Sequence, residues 1–404
     1  MQMLTGKINR FFTSRNFNLS AFLLIAGMIL IAYSNTFTAS FHFDDNPAIV
    51  DNPTIKHVSM ENIMSVLGGG RPVVYLSLMF NYAAGGLNVI GWHMFNIGVH
   101  IANSIFVYLL ILWTLNLPLF GKHYEEKAKR MALFGALLFG VHPIQTESVT
   151  YIISRTELLA TFFYLATFLL FIKGASTGRF SYALGMFCTT LLSMGSKEWA
   201  VTLPALLIVY DFLFFAQGKI KPILSRWKLY VATAIPWALV LSSVLSRLDL
   251  FAPSGSGGVG FNIVSTTGLS PWTYLLTSLN VIWTYIRLLF LPINQNLDYT
   301  YPVAKTLFEV PTILSLLGHL AVVAGAVWLY TKKRVVLIPF GLAWFYIGLS
   351  PAQSFVPVID IIFEHRVYMP SIGFFLAFVT AYELVFEWLA EQKAKKEQLV
   401  AGSS

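Results

Sequence analysis

The sequence predicts an all-α polytopic membrane protein, and three observations carry that prediction. The chain of 404 residues is 56% hydrophobic and only 11% charged, with a mean hydropathy of +0.67. Its apolar residues fall in runs that repeatedly reach the roughly 20 residues a helix needs to cross a bilayer. Its lysines and arginines collect between those runs. The runs lack the two-residue alternation of a membrane barrel, which leaves helices as the spanning element.

Taken in order, the runs lie at about 19–38, 90–115, 156–172, 180–195, 199–217, 229–247, 272–292, 311–330, 335–350 and 369–389, with a shorter one at about 131–142 completing another crossing. The first has a basic start like a signal peptide, but its apolar stretch is too long for one, so a retained helix is expected. The intervening basic groups are Lys7/Arg10/Arg15, Lys122/Lys127/Lys129/Arg130, Lys173/Arg179, Lys219/Lys221/Arg226/Lys228, Lys332/Lys333/Arg334 and Lys393/Lys395/Lys396. That is the positive-inside pattern, so these loops are expected in the cytoplasm. The net charge of +8 is therefore a topology signal. No basic groove interleaved with aromatics points to nucleic acid. Cys188 is the sole cysteine, so no intramolecular disulfide forms and thiol catalysis is not expected.

With the N-terminus inside, residues 39–88 form a long first outer loop. It has turn signals at Asn46-Pro47 and Asn52-Pro53, the run Gly68-Gly69-Gly70-Arg71-Pro72, and an apolar stretch at 73–84. That stretch is too short to span, so it is expected to lie along the membrane surface. A second outer loop runs from His142 to Arg155, a third holds Ser196-Lys197-Glu198, and a fourth at about 248–271 begins Gly/Ser-rich, suggesting mobility. If 272–292 crossed fully, Lys332-Lys333-Arg334 would fall outside, against its charge. The expectation is that this run enters and returns, or lies along the surface, leaving Asp298 outside. Residues 1–390 then form one transmembrane domain with about ten crossings, and 391–404 form a polar cytoplasmic tail.

This topology gathers most acids at the outer face, with Arg71, Arg155, Lys197, Arg287 and Arg366 among them. A transporter places its charges near the midplane on broken helices, so the pattern favours chemistry at the surface over passage across it. Asp44 and Asp45 are the first candidates. Two adjacent carboxylates repel and lose hydration near a bilayer, which raises at least one pKa and suits a general base with a partner, Asp45 as base and Asp44 beside it. The alternative is an Asx turn or helix cap built on Asp-Asp-Asn-Pro. A divalent cation with oxygen ligands would suit the pair, but no third ligand is legible and no metal is expected. His142 and Glu147, with Arg155 and Glu157, read either as a reactive group or as a satisfied polar cluster after a helix-ending proline. Lys197 suits capture of a phosphate, assisted by the amides that open the next helix, or simply caps a turn. In Glu364-His365-Arg366-Val367-Tyr368 the guanidinium fork and imidazole suit a lipid head group, and snorkelling is the alternative for Arg366 and Tyr368. Asp298 and Arg287 are weaker candidates of the same kind. There is no P-loop, dinucleotide fingerprint or zinc-ligand spacing, so an activated substrate would have to arrive by another route, such as a lipid phosphate ester within the membrane.

In this order, Phe43-Asp44-Asp45-Asn46, Arg71-Pro72, Gly91-Trp92-His93-Met94-Phe95-Asn96 with His100, His142-Pro143 with Glu147 and Arg155-Thr156-Glu157-Leu158-Leu159, Ser196-Lys197-Glu198, Asp298-Tyr299 and Glu364-His365-Arg366-Val367-Tyr368-Met369-Pro370-Ser371 resemble the transmembrane half of the transmembrane and tetratricopeptide-repeat O-mannosyltransferases, glycosyltransferases of the multi-spanning GT-C fold. The resemblance covers most of residues 20–390. It implies a GT-C-type bundle of about ten or eleven helices and a polyprenyl- or dolichyl-phosphate sugar donor. It also implies a protein or glycan hydroxyl as acceptor, and inverting transfer at the outer face. Carried over residue by residue, Asp44 or Asp45 would deprotonate the acceptor, while Lys197, His365 and Arg366, with Arg155 as an outside candidate, would bind the donor phosphate. His142, Glu147, Glu364, Tyr368 and Asp298 would support them. The family continues into repeats where this sequence stops at Ser404, which suggests a bacterial relative lacking them, in an inner membrane with its site facing the periplasm, or the endoplasmic reticulum membrane in a eukaryote. The rival readings are a transporter or flippase of lipid-linked sugars, and a non-catalytic scaffold in surface-glycan assembly.

Overall fold

The computed structural model describes residues 16–247, 269–358 and 360–401. Expectations for residues 1–15 and for most of the Gly/Ser-rich loop lie outside them. Among the described residues the secondary structure is helical, without strands. Five stretches are long and apolar enough to cross a bilayer: Val89–Leu115, Ile152–Thr177, Glu198–Phe215, Val310–Lys333 and Glu364–Leu399. The protein is an all-α polytopic membrane protein. Three further apolar helices, Phe17–Ala32, Phe180–Met194 and Leu337–Leu349, have 16, 15 and 13 residues. At about 1.5 Å per residue they fall short of a ~30 Å hydrocarbon core, so hydropathic runs here are longer than the regular helices they form.

The elements that position the candidate site are α1 (Phe17–Ala32), α2 (Met60–Leu67), α3 (Pro72–Gly85), α4 (Val89–Leu115), α5 (Gly121–Val141), α6 (Thr146–Thr150), α7 (Arg155–Thr177), α8 (Phe180–Met194), α9 (Leu203–Tyr210), α10 (Trp227–Arg247), α11 (Pro271–Phe290), α12 (Val310–Lys333), α13 (Leu337–Leu349) and α14 (Tyr368–Ala401). Local chemistry sets many of the boundaries. Asn88 caps α4 by accepting Ile90 N–H at 3.1 Å, and Ser59 caps α2 by accepting Asn62 N–H at 3.1 Å. Pro72 opens α3 at the position where a missing N–H costs nothing. α14 runs unbroken past residue 390 to Ala401, so the polar tail is the helical continuation of α14.

α4, α5 and α7 pack together, α8 lies between α7 and α10, and α13 crosses α14. At that last crossing the backbones touch: a Cβ on Gly341 would run into the Gly373 carbonyl oxygen, and one on Gly373 into Gly341 and Trp344. A main apolar core runs through the bundle. A second cluster, which includes Ile49, Ile55, Val74, Leu78, Trp92 and Ile152, binds the segment after Asp45 and the surface helix α3 onto the end of the bundle that carries residues 39–88. The loop is thereby clamped from below.

α11 is continuous, which removes a re-entrant turn inside 272–292. Tyr274 Oη donates to Ala352 O at 2.6 Å, and Tyr285 Oη to Phe363 O at 2.9 Å. Just beyond the helix, Gln295 Nε2 donates to Pro143 O at 3.0 Å. Contacts spread along its length thus reach neighbouring loops, as in a helix lying across one end of the bundle.

Candidate active site at the loop end of the bundle

The two aspartates separate in the fold. Asp45 is 1% exposed, and its Oδ1 accepts Ile153 N–H at 2.8 Å while Oδ2 accepts His42 N–H at 3.1 Å. Burial raises its pKa to about 6, against the lowering pull of those two N–H groups. Asp44 is exposed, and its own N–H donates to Tyr151 Oη at 2.8 Å. Asp45 therefore holds the loop against the 151–153 turn, and Asp44 presents the exposed carboxylate. With both Asp45 oxygens on backbone N–H groups, the pair does not fit a cation site. Among the described residues no group of three or more His, Cys, Asp or Glu stands close enough to hold a metal ion.

The turn that presents Asp44 is bent through Phe43, whose φ of 44° lies in the left-handed region that a bulky residue rarely adopts. Flanking bonds hold it there: Asp45 N–H to His42 O at 2.9 Å and Asn46 N–H to Phe43 O at 3.1 Å. Phe43 as a whole is 63% exposed.

A second group forms where α6, the start of α7, the Ser196–Glu198 turn and residues 361–366 meet. Glu147 Oε1 pairs with His365 Nδ1 at 2.5 Å, and its Oε2 accepts His365 N–H at 3.0 Å. The other imidazole nitrogen lies 3.9 Å from Glu157, which takes Lys197 Nζ at 2.6 Å and Trp199 Nε1 at 2.5 Å. Burial raises Glu147 to about 7, opposed by the N–H groups of His365 and Glu364 and the charges of Lys197 and Arg366. Arg366 is half-buried, donates to Ile361 O at 3.3 Å and lies 5.5 Å from the Phe363 ring centroid. Among the described residues it forms no ion pair. Asp44, Asp298 and Arg366 all act electrostatically on Asp360, in the same region.

The structure thus brings Lys197, His365 and Arg366 together with Glu147, while Asp44 and exposed Asp298 act on Asp360, as Arg366 does. It does not bring in Arg155. That guanidinium is 0% exposed, donates to Asn96 Oδ1 at 2.9 Å, Asn81 Oδ1 at 2.7 Å and Trp92 O at 3.3 Å, and sits 4.1 Å from the Phe95 ring centroid. Its donors tie α3, α4 and α7 together and are spent inside the bundle, not turned to a donor phosphate as the sequence suggests. Tyr368 is also fully buried and bonds His100 at 2.7 Å and Asn103 at 3.0 Å, inside the bundle and away from any head group. His142 accepts Ile144 N–H at 3.2 Å and packs on Phe375, as a turn cap does. Glu364 is 3% exposed and latches residues 295–299, accepting from Gln295, from Asn296 N–H at 2.9 Å and from Tyr299.

Sequence reasoning missed Tyr151 and Trp199, whose parts depend on partners distant in the chain. It also left Glu157, Asp360 and Arg71 outside the chosen set. Arg71 makes a two-pronged pair with Glu198 at 3.0 Å, joining the first loop to the Lys197 turn.

Known relatives extend this picture. Protein O-mannosyl-transferase TMTC4 of Homo sapiens is 24% identical over 443 residues, taking in 94% of this chain and 57% of that protein. Protein O-mannosyl-transferase TMTC3 of Homo sapiens is 25% identical over 402 residues, 89% of this chain and 42% of that protein. Protein O-mannosyl-transferase TMTC2 of Homo sapiens reaches 32% over 221 residues, 50% of this chain and 25% of that protein. The chain spans 57% or less of the length of these curated relatives. No protein-family model and no solved structure matches it. Along most of its own length the chain is similar to these protein O-mannosyl-transferases.

Proposed function

We propose that this protein is an integral-membrane glycosyltransferase. It moves one hexose, mannose by the names of its relatives, from a polyprenyl-phosphate donor to a hydroxyl of a protein acceptor, at the membrane face that carries residues 39–88. In a bacterium that face is the periplasmic side of the inner membrane. The observation that carries the reading is the exposed Asp44 carboxylate, held on a clamped turn and acting, as the Arg366 cation also does, on Asp360. Residues 1–390 act as one catalytic domain.

In the reaction the acceptor oxygen attacks the anomeric carbon from the side opposite the phosphate. A bond forms between that oxygen and carbon, and the bond from carbon to phosphate oxygen breaks with its electron pair leaving on the phosphate. The acceptor proton passes to Asp44, and the sugar inverts. General-base assistance of this kind contributes about 10²–10⁴-fold. Arg366, Lys197 and the His365 ring receive the growing charge on the leaving phosphate, which is the usual place for electrostatic stabilisation. Lys197 has three N–H donors, and the recorded bond to Glu157 uses one of them. The exchange of roles between the aspartates follows from burial: a base must reach the substrate, and Asp45 is closed off.

The test is purified protein with a radiolabelled polyprenyl-phosphate hexose and an acceptor peptide. Label on the peptide, lost in Asp44→Asn, supports the reading. Binding or movement of the donor without any product, in wild type, would replace it with the transporter or scaffold.

A further inference from the structure

The Phe43 turn contains a feature that the proposed chemistry does not use. Non-glycine residues in the left-handed region cost about 1–3 kcal/mol and persist where the surroundings over-determine them. Phe43 adopts a φ of 44° and yet is an exposed residue, so the strain is not offset by burial of the residue. A residue without a side chain would hold the same turn more easily. The ring stands next in sequence to Asp44, on a turn fixed by the Asp45 bonds to Ile153 and His42 and by the Asp44 bond to Tyr151.

We infer that Phe43 is a specificity-determining contact for the acceptor: its phenyl ring packs against an apolar side chain next to the hydroxyl residue of an acceptor polypeptide, seating that hydroxyl at Asp44. The inference rests on the proposed transfer reaction and adds the class of acceptor, a peptide segment with an aliphatic neighbour to its serine or threonine. The phenyl ring carries no hydrogen-bonding group, so what it offers a partner is apolar surface. Contact with a single aliphatic group in such a subsite is worth about 10-fold in kcat/KM or more.

Two synthetic peptides, each with one threonine and either leucine or glycine beside it, are compared at saturating radiolabelled polyprenyl-phosphate hexose. The wild type is expected to prefer the leucine peptide by about 10-fold, and Phe43→Ala to bring the two within about 2-fold by raising KM for the leucine peptide alone. The donor KM stays unchanged. Phe43→Gly relieves the backbone and removes the ring, so it must behave like Phe43→Ala. Recovery of the preference in the glycine variant alone, or an equal loss on both peptides, would assign Phe43 to the backbone or the loop and overturn the inference. Fluorescence anisotropy of the labelled peptides without donor reads binding apart from chemistry. A wild type that binds the leucine peptide through Phe43 but transfers nothing sinks the reaction and keeps the contact. Equal binding of both peptides by wild type sinks the contact and leaves the reaction standing.

Discussion

Asp44→Asn and Asp45→Asn are near-identical changes one residue apart, and the structure separates their consequences. Asp44 is exposed, so its replacement belongs with surface substitutions that move stability by about ±0.5 kcal/mol or less. As the base, however, it carries about 10²–10⁴ in rate, or about 3–5 kcal/mol of the barrier. Asp45 behaves in the opposite way. Burial holds its pKa at about 6 against an ordinary 3.8, and at ~1.4 kcal/mol per tenfold change in acidity that amounts to about 3 kcal/mol. Below pH 3.8 both folded and unfolded chains are protonated there. Between 3.8 and about 6 the unfolded chain releases its proton while the folded one keeps it, so this contribution is lost as pH rises and is fully lost above about 6.

Asparagine at 45 removes that titration and also one of the two carboxylate acceptors, which costs about 1.5–3 kcal/mol. The two changes nearly cancel at neutral pH. Unfolding free energies from denaturant titration in mixed micelles, taken from pH 4 to 7, are the assay, paired with the transfer reaction. Asp45→Asn should flatten the slope below pH 6 and reduce transfer partly, through a displaced Asp44. Asp44→Asn should leave the slope intact and lose at least about 100-fold in transfer. Full activity in Asp44→Asn, or an unchanged pH slope in Asp45→Asn, refutes the division of roles.

Other consequences can be measured alongside. Arg366→Ala should raise the KM for donor by about 10-fold or more with little change in melting temperature, since this cation is half-buried and outside any ion pair among the described residues; equal donor KM would remove it from the site. Glu147→Gln should flatten the stability slope between pH 4.5 and about 7, because burial raises this carboxyl and its contribution falls as pH rises through that window. Arg155→Lys should cost about 2–4 kcal/mol by leaving Asn96, Asn81 and the Trp92 carbonyl without the fork they accept, while the folded fraction keeps its donor affinity. Gly341→Ala should destabilise by about 1–3 kcal/mol or more, since its methyl meets the Gly373 carbonyl, and a normal melting temperature would show that α13 and α14 can part.

Several features were legible before any coordinates. Runs of apolar residues and basic loops placed the helices nearly where they form, because hydropathy and charge are local properties. The surface stretch at 73–84 was equally plain, since 14 residues of helix are too few to span. Lys197, His365 and Arg366 were found as cations among apolar runs. What misled was the assumption that a charge near a helix end faces the substrate. Arg155 and Arg366 look alike in sequence, yet one is spent on three helices and the other is open.

The sequence by itself determined the membrane class, the order of helices, the likeness to the O-mannosyltransferases and a short list of candidate groups, since these follow from composition and motif order. Only the tertiary structure decided which of those groups are available. Availability depends on partners that lie far along the chain, Ile153 for Asp45, Tyr151 for Asp44, Asn96 for Arg155 and Glu147 for His365. A carboxylate closed by backbone N–H groups and one left open have the same one-letter code, and packing is what makes one a strut and leaves the other within reach of a substrate.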